Sequence, residues 1–428
     1  MTMKVRLTSL NRRCQSVLRA CRRASDAQKV PAYLVGGLVR DLMLNRSNQD
    51  LDFVIEGDAP AVARRMARDL QGRVTVYPRF LTATVILSDE MSIDLATTRQ
   101  ERYPCLGMLP EVRPGDIHDD LLRRDFTINA MAVSVNRGSY GQLVDIYNGQ
   151  ADLQKRRIRI LHENSFHEDP TRIFRAIRFE QRFGFALERA TARCLRSALK
   201  KDVMRLISAD RYFNELKKIL HERHPVRALR RLSRLGLLSL RGLDRRVDYR
   251  HMQRFENRVN ALRDRSLFQN VDLAWVYFLA FCEQKNMTEI NRLAQSFPLT
   301  RHQLQCLRQT RMSQETADRL SKRALTPAEV VESLRGLPFE VIAFWRARYP
   351  SQRLAQRIDR YFDRDRQIRP DLNGSDLKKK AHVSGKAIGK LLSELTKRKI
   401  NGTVCNRREE WIAVREILAR GTTGCGVL

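Results

Sequence analysis

The sequence lacks an apolar run long enough to cross a membrane, and it lacks any Cys-x-x-Cys pair. The longest apolar run, LAWVYFLAFC at 273–282, is much shorter than the roughly 20 residues that a spanning helix needs. The eight cysteines are scattered, with no His/Cys cluster at zinc spacing, so we expect free thiols in a reducing compartment. These absences predict a soluble, cytoplasmic protein with no membrane partner.

Acidic residues are also few relative to basic ones. The 428 residues include 80 Lys and Arg against 48 Asp and Glu, which gives a net charge of +32. Such an excess favours a polyanionic partner such as nucleic acid over an acidic small molecule. The length and the 43% hydrophobic content predict two to four units with sizeable cores. Nothing in the sequence implies a protein partner.

The N-terminal segment is basic. Residues 1–30 carry eight Lys or Arg and one acid, a balance that organellar transit peptides also show. The spacing of Val17, Leu18, Cys21 and Ala24 instead predicts one face of a structural helix that leads into the strand YLVGG.

Two patterns divide the chain and predict an α+β fold. In the first ~150 residues, helical patterns alternate with short β-rich runs, which predicts a mixed sheet; the runs are AYLVGG, DLDFVI, GRVTVYP, TATVILS, MSIDLAT and MAVSVN. After Asp152 we expect no further strands. Helical periodicity continues to the end of the chain, with loops at 224–226, 297–300, 323–329, 348–351 and 369–376.

The stretch DLDFVI holds two aspartates one residue apart. Because side chains alternate along a strand, Asp50 and Asp52 are expected on one side while Leu51 and Phe53 point into a core. Two neighbouring anions repel each other, and Mg²⁺, which accepts carboxylate oxygens, would remove that repulsion. The alternative is a solvated strand end whose aspartates cap a turn after Asn48.

Other features of the head converge on these aspartates. Gly36 and Gly37 end a strand and begin a helix, where backbone N–H groups can approach phosphate oxygens, and Arg40 follows one turn later. A tight strand-to-helix turn explains the glycine pair equally well. Asp94 of SIDLAT is a third carboxylate that could face the same metals, as two-metal nucleotidyl transfer requires; its alternative role is a structural partner for a nearby arginine.

Six motifs occur in order between residues 34 and 220: LVGGLVRD, DLDFVI, IDLATTR, LLRRDFTINAMA, EDPTRIFRAIRF and ISADRYFNELKKIL. Their order and spacing resemble the class II nucleotidyltransferase family, whose head is similar to that of DNA polymerase β. That family contains the bacterial CCA-adding tRNA nucleotidyltransferases, their A-adding and CC-adding relatives, and bacterial poly(A) polymerase I. The stretches 372–377 and 383–411 are similar to the C-terminal segment of the tRNA-directed members.

The resemblance implies that the helix in EDPTRIFRAIRF reads the incoming base. Asp169 can accept a hydrogen bond from the exocyclic amine of C or A, while Arg172 donates to the adjacent ring acceptor. G and U would present a keto oxygen to the carboxylate. The alternative for this Asp-x-x-Arg pair is a solvent-facing ion pair of little energetic value.

Four arginines of these motifs are candidate ligands of the triphosphate and ribose, because a guanidinium matches phosphate oxygens: Arg123, Arg124, Arg175 and Arg178. Asp125 is interpreted as an orienting partner of these arginines rather than a metal ligand. The motif at 207–220 is interpreted as structural, with Ser208 and Asp210 as helix-start signals and Arg211 paired with Glu215.

The segment 99–120, rich in Pro and Gly, is predicted to be a mobile loop beside the site. By resemblance it corresponds to the region that helps to move the enzyme from C to A specificity. The alternative is a surface excursion without catalytic duty.

The resemblance implies four segments: a catalytic polymerase-β-like nucleotidyltransferase head (1–151), a base-recognising neck (152–220), a helical body (221–325) and a tRNA-binding tail (326–428). It implies a Mg²⁺-dependent, template-independent enzyme that adds C and/or A nucleotides to the 3′ end of tRNA from CTP and ATP. Asp50 and Asp52 would hold the metals, with Asp94 as the third catalytic carboxylate. The alternatives are a poly(A) polymerase and a catalytically silent RNA-binding protein on the same fold.

Overall fold

The computed structural model describes residues 3–105, 107, 110–243, 247–322 and 324–422. The chain forms two compact units, Met1–Leu216 and Lys217–Leu428. This division is coarser than the four predicted segments, whose boundaries within each unit stay a prediction.

The strands of the first unit are β1 (Ala32–Val35), β2 (Leu51–Ile55), β3 (Arg73–Tyr77), β4 (Thr82–Ile86), β5 (Ser92–Thr97), β6 (Arg99–Arg102), β7 (Glu111–Pro114), β8 (Ala132–Ser134), β9 (Leu143–Val144), β10 (Arg157–Ile158) and β11 (Ala186–Leu187). Seven of them form one sheet in the order β3-β4-β5-β2-β1-β8-β9. The pair β2 and β5 is parallel and the other neighbours are antiparallel, so the predicted mixed sheet is confirmed.

The helices of this unit are α1 (Arg12–Gln28), α2 (Gly37–Met43), α3 (Ala59–Asp69), α4 (Ile117–Leu122), α5 (Gly149–Gln154), α6 (Ser165–Glu168), α7 (Thr171–Phe183), α8 (Arg189–Lys200) and α9 (Ala209–Leu220), the last of which crosses the boundary between the units. The predicted N-terminal helix is confirmed as α1, and its face of Val17, Leu18, Cys21 and Ala24 is fully buried. This helix packs on α3, which lies against β4 and β5.

Two predictions about the strands were wrong. Strands continue beyond Asp152, because β10 and β11 pair in parallel; each has two residues, too few to show an alternating pattern. The segment 99–120 is not one irregular loop, because β6 and β7 form an antiparallel ladder and α4 follows them. The strands β6 and β7 are rich in charged residues and lack the alternation of apolar and polar residues by which a half-buried strand is recognised in a sequence.

The second unit is helical in its described residues, with α10 (Pro225–Arg234), α11 (Tyr249–Arg263), α12 (Leu273–Cys282), α13 (Met287–Ser296), α14 (Arg301–Met312), α15 (Gln314–Lys322), α16 (Pro327–Leu334), α17 (Phe339–Arg348), α18 (Gln352–Asp363), α19 (Gly374–Ala381), α20 (Lys386–Ile400) and α21 (Arg407–Thr422). Each predicted loop includes a break between helices, but 225–226, 327–329 and 374–376 already belong to α10, α16 and α19, and residue 323 lies outside the described residues. The apolar run 273–282 is the buried helix α12. Among the described helices, none has both the length and the apolar character needed to span a membrane.

Candidate active site

Two adjacent strands bring three carboxylates together. Asp52 on β2 lies in register with Asp94 on the parallel neighbour β5, and Asp50 immediately precedes β2. Leu51 and Phe53 between and beyond the aspartates are buried, as the alternation predicts. Sheet pairing thus places the carboxylates of two distant sequence motifs side by side.

Electrostatics at this edge of the sheet favours a bound cation. The pKa of Asp52 is raised to about 6, first because the side chain is largely buried and next because the carboxylates of Asp50 and Asp94 repel its charge. A divalent cation would relieve both penalties, and oxygen donors of this kind suit a hard ion. Asp94 Oδ1 accepts a hydrogen bond from Thr84 Oγ1 at 2.6 Å; among the described residues no arginine is recorded as its partner.

The turn before β2 is closed by Asn48 and not by the aspartates. Its Oδ1 accepts from the backbone N–H of Asp50 at 2.9 Å, and its Nδ2 donates to Asp41 at 2.8 Å. The alternative in which the aspartates serve only as turn caps therefore has no support in these contacts.

The glycine pair leaves space directly beside Asp52. Gly36 has φ +76°, in the left-handed region that favours glycine, and a Cβ there would lie 3.6 Å from Asp52 Oδ2 and 3.5 Å from Arg124 Nη1. Gly37 begins α2. Any side chain at position 36 would be strained and would fill space next to the carboxylate.

Arg123 and Arg124 share a partner that sequence reasoning missed. The fully buried Asp120 accepts from Arg123 Nη2 at 2.6 Å and from Arg124 Nη2 at 2.7 Å. Burial alone would raise the pKa of Asp120, but these two arginines hold it below its usual value. Arg123 also donates to Glu101 Oε1 at 3.1 Å. The i,i+3 and i,i+4 spacing in DDLLRR is the signal that could have identified Asp120.

Arg40 is more enclosed than a simple phosphate ligand would be. It is 4% exposed, pairs with Asp41 at 2.9 Å and donates to Asn129 Oδ1 at 2.6 Å. Its guanidinium lies 4.7 Å from the ring centroid of Phe183. These contacts fix α2 against its surroundings, and nucleotide binding by Arg40 stays a prediction.

The predicted base-reading aspartate lies just before α7 rather than on it. Asp169 Oδ1 accepts from Thr171 N at 3.0 Å, Thr171 Oγ1 at 2.6 Å and Arg211 Nη2 at 2.7 Å. The motif at 207–220 is therefore more than a helix start, because Arg211 orients the carboxylate. Ser208 does accept from the backbone N–H of Arg211.

The predicted arginine partner of this aspartate is anchored as well. Arg172 is 4% exposed, and it donates from Nη1 to Ser165 Oγ at 2.6 Å and from Nη2 to the Arg123 carbonyl at 2.7 Å. Two of its five N–H groups are thereby used. The contact with Arg123 ties the base-reading segment to the arginine motif.

Asp125 occupies the orienting position expected of it. It is buried, and its Oδ2 accepts from Arg175 Nε at 2.7 Å while its Oδ1 accepts from Asn129 Nδ2 at 2.9 Å. Burial alone would raise the pKa of Asp125, but Arg175 and Asn129 hold it below its usual value. Arg178, one turn further, lies with its guanidinium 4.8 Å from the Phe179 ring centroid.

The hairpin of β6 and β7 joins this network. Tyr103 donates from its hydroxyl to Glu101 Oε2 at 3.1 Å. The backbone N–H of Gly107 donates to the Glu168 carbonyl at 3.2 Å, and its own carbonyl accepts from Arg211 Nη1 at 2.7 Å. One arginine thus contacts both Gly107 after β6 and the aspartate that is predicted to read the base.

These groups surround one cavity of about 710 Å³. Its wall includes eleven of the twelve predicted site residues, the exception being Asp94, which lines an adjoining depression together with Asp52. Sequence reasoning missed several further wall residues: Asp41, Ser47, Glu101, Tyr103, Thr171, Phe179 and Arg182. The wall combines the carboxylates of Asp50 and Asp52 with several guanidinium groups, a composition that suits a triphosphate together with its metal ions.

Comparisons with known proteins identify the relatives of this chain. Residues 32–159 match the family described as "Poly A polymerase head domain", and residues 184–240 match "Probable RNA and SrmB- binding site of polymerase A". The A-adding tRNA nucleotidyltransferase of Geobacter sulfurreducens is 34% identical over 94% of this chain and 47% of its own length. That of Halalkalibacterium halodurans is 35% identical over 81% of this chain and 79% of its own length.

Solved structures also resemble this chain over nearly its whole length. The apo form II of a CCA-adding enzyme has a TM-score of 0.72 at 29% identity and covers 97% of both chains. The Thermotoga maritima CCA-adding enzyme complexed with tRNA has a TM-score of 0.67 at 28% identity and covers 98% of this chain and 99% of that one. The chain spans about half the length of the first two curated relatives that it matches, 47% and 45%. Identity, coverage and fold together show that the chain belongs to the tRNA nucleotidyltransferase family.

Proposed function

We propose that this chain adds C and/or A nucleotides to the 3′ end of tRNA from CTP and ATP without a nucleic-acid template. The observation that supports it most directly is one cavity lined both by Asp50 and Asp52 and by the proposed base-reading pair Asp169 and Arg172. A triphosphate bound in this cavity would have its base beside Asp169 and Arg172 and its phosphates beside the two aspartates.

Membership of a nucleotidyltransferase family indicates use of a divalent cation, and we propose that the cation is Mg²⁺. Asp50 and Asp52 would hold it, and the raised pKa of Asp52 fits a carboxylate that is stabilised by a cation in the working enzyme. When bound, Mg²⁺ would neutralise charge on the triphosphate and activate the attacking hydroxyl.

In the proposed reaction, the 3′ oxygen of tRNA attacks the α-phosphorus, a new P–O bond forms, and the bond to the β-phosphate oxygen breaks so that pyrophosphate leaves. Asp94, held by Thr84, is the candidate acceptor of the hydroxyl proton. The guanidinium groups of the cavity bind the triphosphate and ribose; those proposed as direct ligands are Arg40, Arg123, Arg124, Arg175 and Arg178. Gly36 and Gly37 leave space for the phosphates.

In the proposed enzyme, protein side chains select the incoming base in place of a nucleic-acid template. Asp169, held on its Oδ1 side, offers an acceptor to the exocyclic amine of C or A, and Arg172 offers a donor to the ring nitrogen beside it. Uracil and guanine carry a keto oxygen and a ring N–H at the corresponding places, so each contact becomes repulsive.

The second unit supplies surface charge for the tRNA backbone. Lys378, Lys379 and Lys380 on α19 are exposed, and such lysines bind phosphates without reading sequence. We propose that residues 326–428 bind tRNA and that the protein acts in the cytoplasm, where tRNA and nucleoside triphosphates occur together.

One assay distinguishes the candidate activities. Purified chain is given tRNA ending in the discriminator base, in C or in CC, with one labelled nucleotide at a time, and product lengths are read on a gel. Three sequence relatives that match 81–94% of this chain are A-adding enzymes, so we expect A on the primer ending in CC. Long A tracts on unrelated RNA would identify a poly(A) polymerase, and no incorporation with intact RNA binding would identify a silent RNA-binding protein.

A further inference from the structure

A cluster of metal-binding side chains lies in the second unit, apart from the cavity described above. His302 and Cys306 occupy positions i and i+4 on α14, and Glu340 lies in the first turn of α17, which packs against α14. One ligand atom of each residue lies within 4.8 Å of the other two. In the sequence only the His-x-x-x-Cys part of this cluster is recognisable, because Glu340 lies 34 residues beyond Cys306.

The separations of the three atoms match a tetrahedral metal site. His302 Nε2 lies 3.0 Å from Glu340 Oε2, Cys306 Sγ lies 3.6 Å from His302 Nε2, and Cys306 Sγ lies 3.8 Å from Glu340 Oε2. Zinc bonds of about 2.0–2.3 Å at tetrahedral angles require about 3.4 Å for N to O and about 3.6 Å for the two separations from sulfur. Each observed value agrees to within about 0.4 Å, so small side-chain adjustments suffice.

We propose that His302, Cys306 and Glu340 form a zinc site with a fourth position open to water. A thiolate, an imidazole and a carboxylate are ligands that Zn²⁺ accepts, whereas Mg²⁺ and Ca²⁺ prefer an all-oxygen set. A thiolate, a carboxylate and Zn²⁺ sum to zero charge, so the buried Cys306 and Glu340 are fully compensated.

Access and rigidity also suit a bound ion. The His302 side chain is 56% exposed, which leaves an entry path, while the other two ligands are buried. Thr300 caps α14 by accepting from Gln303 N, so His302 lies in a well-formed first turn. A metal would join α14 to α17 and would stabilise this part of the second unit. The alternative is a His302–Glu340 ion pair with a thiol beside it.

The test uses Co²⁺ as the probe on the full chain. Bound metal is first removed with a chelator, and excess Mg²⁺ is then kept present to occupy the carboxylates of the cavity. Co²⁺ should produce tetrahedral visible bands and a near-ultraviolet thiolate charge-transfer band, and one equivalent of Zn²⁺ should remove both. Cobalt bound only by oxygen cannot give the thiolate band, so Asp50 and Asp52 do not contribute to this signal.

Variants identify the ligands. Cys306→Ser should abolish the thiolate band. His302→Ala should weaken Zn²⁺ binding by at least about 100-fold, and it should not affect folding because the His302 side chain is largely exposed. Cys405→Ser, which removes an exposed thiol elsewhere in the second unit, is the matched control and should change nothing. Absence of the bands in the unaltered chain, or a thiolate band that survives His302→Ala at unchanged affinity, would overturn the proposal and leave the ion pair.

Discussion

Replacing Asp169 by Asn is expected to reverse the hydrogen-bonding preference of the base filter. Three donor groups, two from Thr171 and one from Arg211, converge on Oδ1 of the carboxylate. The amide oxygen of an asparagine must therefore take the Oδ1 position, because its NH₂ group would face those donors. The NH₂ group then occupies the place of Oδ2, so a donor replaces an acceptor toward the incoming base.

The size of the effect follows from the value of one base contact. A good contact is worth about 1–3 kcal/mol of discrimination, so Asp169→Ala should lower the ratio of kcat/KM for CTP over UTP by roughly 10- to 100-fold. Asp169→Asn also makes the amino base repulsive and the keto base attractive, and the ratio should fall at least about 10-fold further. Arg172 still opposes the ring N–H of uracil, so UTP should not become as good a substrate as CTP is for the unaltered chain.

The measurement is kcat/KM for all four nucleotides on a fixed tRNA primer, with circular dichroism to check folding. Asp169→Asn combined with Arg211→Ala tests the share of Arg211 in this orientation: two donors of Thr171 remain on Oδ1 instead of three, so the ratio should return only part of the way toward that of Asp169→Ala. If Asp169→Asn and Asp169→Ala give the same ratios, the orientation argument fails. If both slow every nucleotide by the same factor, the segment does not read bases.

Four further outcomes are expected. Asp50→Asn or Asp52→Asn should abolish transfer and leave tRNA affinity unchanged. Asp52→Asn should also raise thermal stability in the absence of metal, because the buried, repelled charge is removed; activity near that of the unaltered chain would show that the carboxylates do not hold the metal. Gly36→Ala should cost about 1–2 kcal/mol in a denaturant titration, because φ +76° strains alanine; an unchanged midpoint would contradict this. Arg178→Ala should raise KM for all nucleotides alike, whereas a selective effect would implicate it in base reading. Changing 378–380 to Glu should weaken tRNA binding and flatten its salt dependence, and an identical salt slope would exclude these lysines.

Local patterns carried most of the fold prediction. The strand β2 and the helix α1 were both readable because their burial repeats within a few residues, and Phe53 and Val17 are buried as expected. The breaks between helices of the second unit coincide with Pro, Gly and capping residues, which act locally. Elements of two residues, such as β10 and β11, have no period to read and were missed.

The partners of the site residues could not be read in the same way. Arg211 meets Asp169 across 42 residues of chain, and Arg123 meets Glu101 across 22. Such pairs depend on how segments fold back on each other, and the sequence offers many other acids for each arginine. Arg211 was accordingly assigned to its helical neighbour Glu215, since only the i,i+4 spacing was visible.

The contacts of Arg211 indicate why the proposed base filter would need more than one Asp-x-x-Arg pair. A carboxylate on a mobile side chain could present either oxygen to the base or turn away from it. Discrimination between amino and keto bases would then be lost. Arg211 prevents this by holding Oδ1 while its other amino group is held by the Gly107 carbonyl. If Asp169 reads the base as proposed, the accuracy of that reading depends on the Gly107 carbonyl after β6, because this carbonyl holds the arginine that orients the carboxylate.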